Sequence, residues 1–140
     1  MLVRCLYASR ATTSDIAHDI NVILDQARRN NSRLGITGML CVSRDIFIQV
    51  LEGGRDEVCE LFTTIVRDAR HANVRILMFE EIGERRFANW SMGQVDIAKV
   101  NPSLLLKYSD RATLDPFRCS GRATMAMLEE MVATASITSR

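Results

Sequence analysis

Three polar side chains stand in this sequence where the hydrophobic pattern calls for apolar ones. Gln49 interrupts the run Ile46-Phe47-Ile48-Gln49-Val50-Leu51, which is apolar on both faces, as a strand covered on both sides should be. Burying an amide without partners costs about 1–3 kcal/mol, so something must meet its two donors and its acceptor. Tyr7 lies in the middle of a second strand-like run, residues 2–8, with a hydroxyl that also needs a partner if buried. Asn31 falls where an amphipathic helix ends, in Asn30-Asn31-Ser32-Arg33. Two of the three have ordinary explanations when taken alone. Gln49 can be satisfied by backbone at a sheet irregularity, and Asn31 can be a C-cap or a left-handed residue. If the strands of Tyr7 and Gln49 are neighbours, a phenol and two amides converge between two helices. A planar heteroaromatic ring with mixed donors and acceptors suits such a slot.

Other residues carry weaker signals. Trp90 and Met92 alternate onto one face of a short strand-like segment, with Ser91 on the other, and core packing accounts for such a pair. Ser9 reads as a turn residue, Asp68 and Arg70 as solvated charges late in a helix, and His71 as the end residue that complements the helix dipole. No nucleophile–base pair, metal cluster or acid–base carboxylate pair is visible, which weighs against a small-molecule enzyme. The cysteines Cys5, Cys41, Cys59 and Cys119 show no CxxC spacing. With only His18 and His71 beside them, a Cys/His zinc site is not expected.

The elements that must position these side chains follow from periodicity. A strand over residues 2–8 places Val3, Cys5 and Tyr7 on one face and Leu2, Leu6 and Ala8 on the other. Thr13, Ser14 and Asp15 then supply an N-cap, and Ile16, Ile20, Ile23, Leu24 and Ala27 follow at helical spacing to about Asn30. Strands at 38–43 and 46–51 flank an Arg44-Asp45 hairpin turn, closed by Gly53-Gly54. A second helix over 56–71 carries Val58, Leu61, Phe62, Ile65 and Ala69, and strands at 74–79 and 90–95 complete the order β-α-β-β-α-β-β. That order is the α+β, ferredoxin-like plan: one mixed sheet with two helices on one face. Asn101-Pro102 opens a short helix to about Tyr108, and Ser120 starts a last helix with the stripe Met125, Leu128, Met131, Val132 and Ala135. This tail is the candidate cover for the opposite face of the sheet.

Composition sets the outer limits. The chain's 140 residues are one domain's worth, large enough to need no metal or disulfide staple. Net charge is +1, and 18 Lys+Arg balance 17 Asp+Glu without opposed halves, so a phosphate-backbone binder is excluded as a first reading. No window is apolar enough for a membrane span, and no signal-peptide layout opens the chain, so a cytoplasmic protein is expected.

Five separated motifs agree with one family. They are Leu6-Tyr7-Ala8-Ser9, Asn31-x-Arg33-x-x-Ile36-Thr37-Gly38, Phe47-Ile48-Gln49-Val50-Leu51-Glu52-Gly53, Arg67-Asp68-x-Arg70-His71-x-Asn73-Val74, and Arg85-Arg86-Phe87-x-x-Trp90-x-Met92. Over residues 1–97 the chain resembles the BLUF family of flavin-binding blue-light sensors, and its short length with a helical tail resembles the single-domain members. The resemblance implies a flavin-binding domain at 1–97 and a helical extension at 98–140. It implies a flavin ring between the two helices, against Ile23, Leu24 and the second helix's stripe. Tyr7 would be the electron donor to the excited flavin, and Gln49 would bridge Tyr7 and the ring. Asn31 would bond the ring edge, with Asn30 and Asp68 as further contacts. Ser9, Trp90 and Met92 would relay the signal.

Two departures bear on the ring. Some relatives have histidine at Asn30, and some have a cation at Thr64, one turn before Asp68. The donor to the flavin O2 is therefore open. FAD is the expected cofactor by resemblance, with FMN the alternative. The expected partners are the flavin, an unidentified downstream protein and, for the tail, a second copy of the chain. The competing readings are a ferredoxin-like small-molecule enzyme and a plain oligomerisation or interaction module.

Overall fold

The computed structural model describes residues 1–95, 97 and 100–134. Seven elements come first: β1 (Leu2–Ala11), α1 (Ile16–Leu34), β2 (Thr37–Ser43), β3 (Ile46–Gly54), α2 (Arg55–Arg67), β4 (His71–Ile82) and β5 (Gly93–Val95). The tail follows with α3 (Pro102–Tyr108), a 3-10 turn at Pro116–Arg118, and α4 (Gly121–Thr134). The sheet order is β4-β1-β3-β2-β5, antiparallel except for β5, which runs parallel to β2. This is the α+β ferredoxin-like arrangement expected from the order of elements.

The two faces of the sheet carry separate cores. Val3, Cys5 and Tyr7 of β1, with Leu40, Phe47 and Leu51, pack under Leu24 of α1 and Val58 of α2. Leu6 and Ala8, with Met39, Cys41, Ile48 and Val50, pack under the tail, where Leu104, Leu105, Met125, Leu128 and Met131 cover them. The stripe of the last helix therefore lies on the chain's own sheet. Ala135, the last residue of the expected stripe, lies outside the described residues, as does the junction at residue 98. Gly121 opens α4 against the backbone of Leu77 in β4, where a Cβ would stand 2.1 Å from the carbonyl oxygen. Only glycine allows that approach.

Several boundaries move, each for a local reason. Helix α1 continues to Leu34 because Gly35, at φ 70°, is the left-handed cap. Asn31 is thus inside the last turn and is not the cap. Helix α2 stops at Arg67, since Asp68 is extended and its Oδ1 accepts the Arg70 N–H at 2.9 Å. His71 consequently begins β4 and is not a helix end residue. The last strand is only Gly93–Val95, so Trp90 and Met92 precede it. They do not share a face: Trp90 packs against the tail-side core, while Met92 is buried in the helix-side core.

A buried carboxylate fixes the approach to that segment. Glu52 accepts from Arg4 Nε at 2.9 Å, from the Arg86 N–H at 3.0 Å and from the Phe87 N–H at 2.8 Å. Arg85 adds bonds to Thr37 Oγ1 at 2.9 Å and to the Gly35 carbonyl at 2.7 Å. A charge this deep is tolerable because Arg4 pairs with it and both of its oxygens accept hydrogen bonds. Residues 85–87 are thereby pinned to β2 and β3, just upstream of Trp90.

We infer that residues 1–97 form the ligand-binding unit, with the tail as a cover on the opposite face. Deleting residues 101–140 is expected to expose the apolar sheet face and cause aggregation, while the flavin content that the resemblance implies persists per soluble molecule. Size-exclusion chromatography and visible absorption of the truncation check this, and a fully soluble monomer would count against the cover.

Candidate functional site

The register of the two central strands places Tyr7 directly opposite Gln49. Both are buried, at 1% and 4% exposure, on the face covered by α1 and α2. The Tyr7 hydroxyl donates to Gln49 Oε1, and Gln49 Nε2 donates to Met92 Sδ at 3.4 Å. A thioether only accepts, so it favours the amide nitrogen on its side. A phenol both donates and accepts, so it can meet either end of the amide. Burial, with smaller contributions from Cys5 and Asp68, pushes the Tyr7 pKa well above its usual value and keeps the phenol protonated.

Next to this pair, a cleft with about 580 Å³ of space, counting its open mouth, runs between α1 and α2. Ile23, Gln26, Ala27 and Asn30 line it from α1, at the spacing of one helical face. Leu61, Thr64 and Ile65 line it from α2, and Tyr7, Gln49 and Asn31 form its inner end. Asn31 is 1% exposed, and its Nδ2 donates to the Ser91 carbonyl at 2.9 Å. A carbonyl only accepts, which settles the orientation of the amide and turns Oδ1 away from Ser91. Among the described residues, Asn31 Oδ1 is the one buried side-chain polar atom without a hydrogen-bond partner. Such an orphan costs about 1–3 kcal/mol unless a donor meets it. It asks for an N–H from a ligand.

At the mouth, Asp68 and Arg70 form a close ion pair, with Arg70 Nε 3.0 Å from Asp68 Oδ1. Arg70 Nη2 also reaches Gln26 Oε1 at 3.0 Å and so links the end of α2 to α1. The Arg70 bond holds the Asp68 carboxyl below its usual pKa. His71 lines the same corner: its Nδ1 is 2.7 Å from Ser9 Oγ, and its ring lies edge-on to Tyr7 at 6.4 Å. Burial lowers its pKa, so the neutral imidazole is favoured.

The expected site residues Tyr7, Ile23, Asn30, Asn31, Gln49 and Asp68 all line the cleft. Leu24 does not; it is buried in the core beneath. Ser9 touches the site only through His71, and Trp90 lies on the other side of the sheet. Gln26, Arg70 and His71 also line the cleft, although the sequence pattern marks none of them as a site residue. Gln26 was within reach, being three residues after Ile23 and four before Asn30 on one helical face. Arg70 and His71 were hidden because they leave the helix in the turn after Arg67. No group of His, Cys, Asp and Glu among the described residues could hold a metal ion.

A ring edge offering an N–H between two acceptors fits this donor set, with Asn31 Oδ1 toward the N–H. Comparison with known proteins identifies such a ligand. The family model for BLUF, sensors of blue-light using FAD, matches residues 2–93. The chain belongs to the BLUF family. It is 35% identical over 92 residues to photoactivated adenylate cyclase subunit beta of Euglena longa, covering 65% of this chain but 11% of that protein. The chain thus spans about one-tenth of the length of that curated relative. A structure of BlsA in its photo-activated state superimposes with TM-score 0.88 at 32% identity, covering 100% of both chains. The dark-state structure of BlrB, a BLUF protein, gives TM-score 0.75 at 34% identity, covering 94% of this chain and 95% of that one. BLUF domains bind flavin and are sensors of blue light.

Two outcomes follow from the geometry. Tyr7→Phe strands Gln49 Oε1 in the core and is expected to cost about 1–3 kcal/mol, more than loss of a solvated hydroxyl. Tyr7→Phe combined with Gln49→Leu removes both partners, so its cost should fall below the sum of the single changes in urea unfolding. For His71, the folded pKa is lowered, so the unfolded chain binds more protons. Stability is therefore present above the ordinary value of 6.5 and is lost as the pH falls below it. His71→Gln should flatten that component, as read from unfolding midpoints at pH 5 and pH 8.

Proposed function

We propose that this chain senses blue light through a flavin held between α1 and α2, with Tyr7 and Gln49 performing the photochemistry. The reading rests on one observation above all: a buried phenol–amide hydrogen bond opening onto a cleft with an orphaned amide oxygen beside it. FAD is the cofactor favoured, in keeping with the family description. When bound, the flavin supplies blue-light absorption and an excited state that accepts an electron.

The protein's residues supply the rest. Asn31 Oδ1 would accept from the ring N–H, with Asp68 and Asn30, which line the same cleft, as further polar contacts. Arg70, facing the cleft from the turn after α2, takes the place of the cation that Thr64 lacks and is the donor favoured for O2. Ile23, Leu61 and Ile65 line the cleft and would pack against the ring and exclude water, which would strengthen each polar contact. Tyr7 is the electron donor, and its proton has a path along the existing bond to Gln49 Oε1. While the phenol lacks its proton its oxygen can only accept, so the amide would gain by turning Nε2 toward it; the electron and the proton would then return to Tyr7, whose restored hydroxyl can meet that end of the amide as well. Gln49 Nε2 then leaves Met92 Sδ, and the change passes to the segment preceding β5. A separate partner protein reads it at the tail, and a second copy of the chain is the other candidate.

Gln49→Leu fits the apolar strand, so the protein should remain folded and yellow yet show no red shift of its flavin band under blue light. Tyr7→Phe should abolish formation of the red-shifted state and lengthen the flavin fluorescence lifetime. Normal photoconversion by either variant, measured by absorption under blue illumination, would sink the assignment.

A further inference from the structure

Side chains of α1 and the backbone of β2 together hold the stretch leading into β5. Strand β5 pairs with β2 over three residue pairs only, Met39 with Gly93, Leu40 with Gln94 and Cys41 with Val95. Two successive carbonyls just before it face α1. Asn31 Nδ2 donates to the Ser91 carbonyl at 2.9 Å, and Arg28 Nε donates to the Met92 carbonyl at 3.2 Å. Arg28 and Asn31 are three residues apart, on one face of the helix. The two differ in one respect. Asn31 lines the cleft and shares its amide with the ligand, whereas Arg28 is not among the residues lining the cleft.

We propose that Arg28 is a positioning residue for the photoreaction: it clamps the Met92 backbone to α1, and so holds Met92 Sδ against the Gln49 amide. This rests on the photoreceptor reading above. The amide rotates inside a packed layer, where Met92 is wholly buried and a Cβ on Gly38 would stand 3.2 Å from its Cε. Turning the amide requires that the thioether yield, and its freedom to yield is set by the backbone that carries it. A group that supports a reacting residue from outside the ligand's reach sets geometry and rate without altering ligand affinity.

The test uses the full chain with Arg28→Ala and Arg28→Lys. In Arg28→Ala, flavin content and the size of the red shift should stay as in the parent, while thermal return in the dark becomes at least threefold faster. Amide hydrogen exchange in β5, measured in the dark, should accelerate at least tenfold, with β3 amides unchanged as the internal control of folding. Arg28→Lys keeps a donor at nearly the same reach and should restore both quantities to within about twofold. In a Met92→Ala background, Arg28→Ala should have no further effect on the dark return. The clamp is overturned if β5 exchange in Arg28→Ala equals that of the parent, or if Arg28→Lys behaves as Arg28→Ala. Faster exchange with an unchanged dark return would overturn its part in the photoreaction. A parent protein with no red shift at all would overturn the photoreceptor reading instead, and the exchange data would still decide the clamp.

Discussion

The structure depends on keeping one amide dry. Gln49 occupies a strand in the middle of the sheet, and its side chain survives there only because Tyr7 stands directly opposite and Met92 closes its other end. Each partner places a demand on the fold. Tyr7 requires that β1 and β3 be neighbours in a set register, because a slip of one residue would turn the phenol to the other face. Met92 requires that a chain segment cross at the far edge of the sheet, beyond β2. A central β3 with apolar residues on both faces further requires two covers, α1 and α2 on one side and the tail on the other.

A second buried polar group makes the far edge possible. Glu52, three residues after Gln49 on the same strand, points toward the opposite face and collects Arg4 with two backbone N–H groups from residues 86 and 87. The alternation of a strand produces this division: odd positions such as Gln49 and Leu51 serve the helix side, and even positions such as Val50 and Glu52 serve the tail side. Glu52 thus anchors the loop that delivers Trp90 and Met92. One strand supplies both the buried amide and the anchor for the segment that packs against it.

Periodicity made the sheet, both helices and the tail legible, because burial on a fixed face leaves a repeat of two or of about 3.6 in the sequence. The Tyr7–Gln49–Asn31 cluster was legible for the opposite reason, as polar residues that break those repeats. What escaped lies where no repeat operates. Trp90 and Met92 alternate in sequence, but the chain before Gly93 is not a strand, so they go to different cores. His71 looked like a helix end because nothing in composition shows that the Asp68 carboxylate bonds the Arg70 N–H and stops α2 early. The role of Glu52 is not legible in the sequence, because a glutamate ending an apolar strand usually faces water and only the fold shows that Arg4 lies beside it.

The short path from Trp90 to Met92 has a mechanical consequence. Trp90 packs against the core shared with the tail, and Met92 packs against the core shared with α1 and α2. Between them stands one residue, Ser91, whose carbonyl is bonded to Asn31. Peptide units are rigid planes, so two residues cannot take up a large displacement without moving both ends. The Trp90 end is held by its carbonyl to the Gly38 N–H at 3.0 Å, and the Met92 end by Arg28 at 3.2 Å. A change at the Gln49 amide that releases Met92 therefore cannot stay on the helix side. It would either strain these two bonds or shift Trp90 against the tail-side core, and close-packed interiors resist such a shift. The sheet separates the two cores, and this turn around its edge is where they are joined.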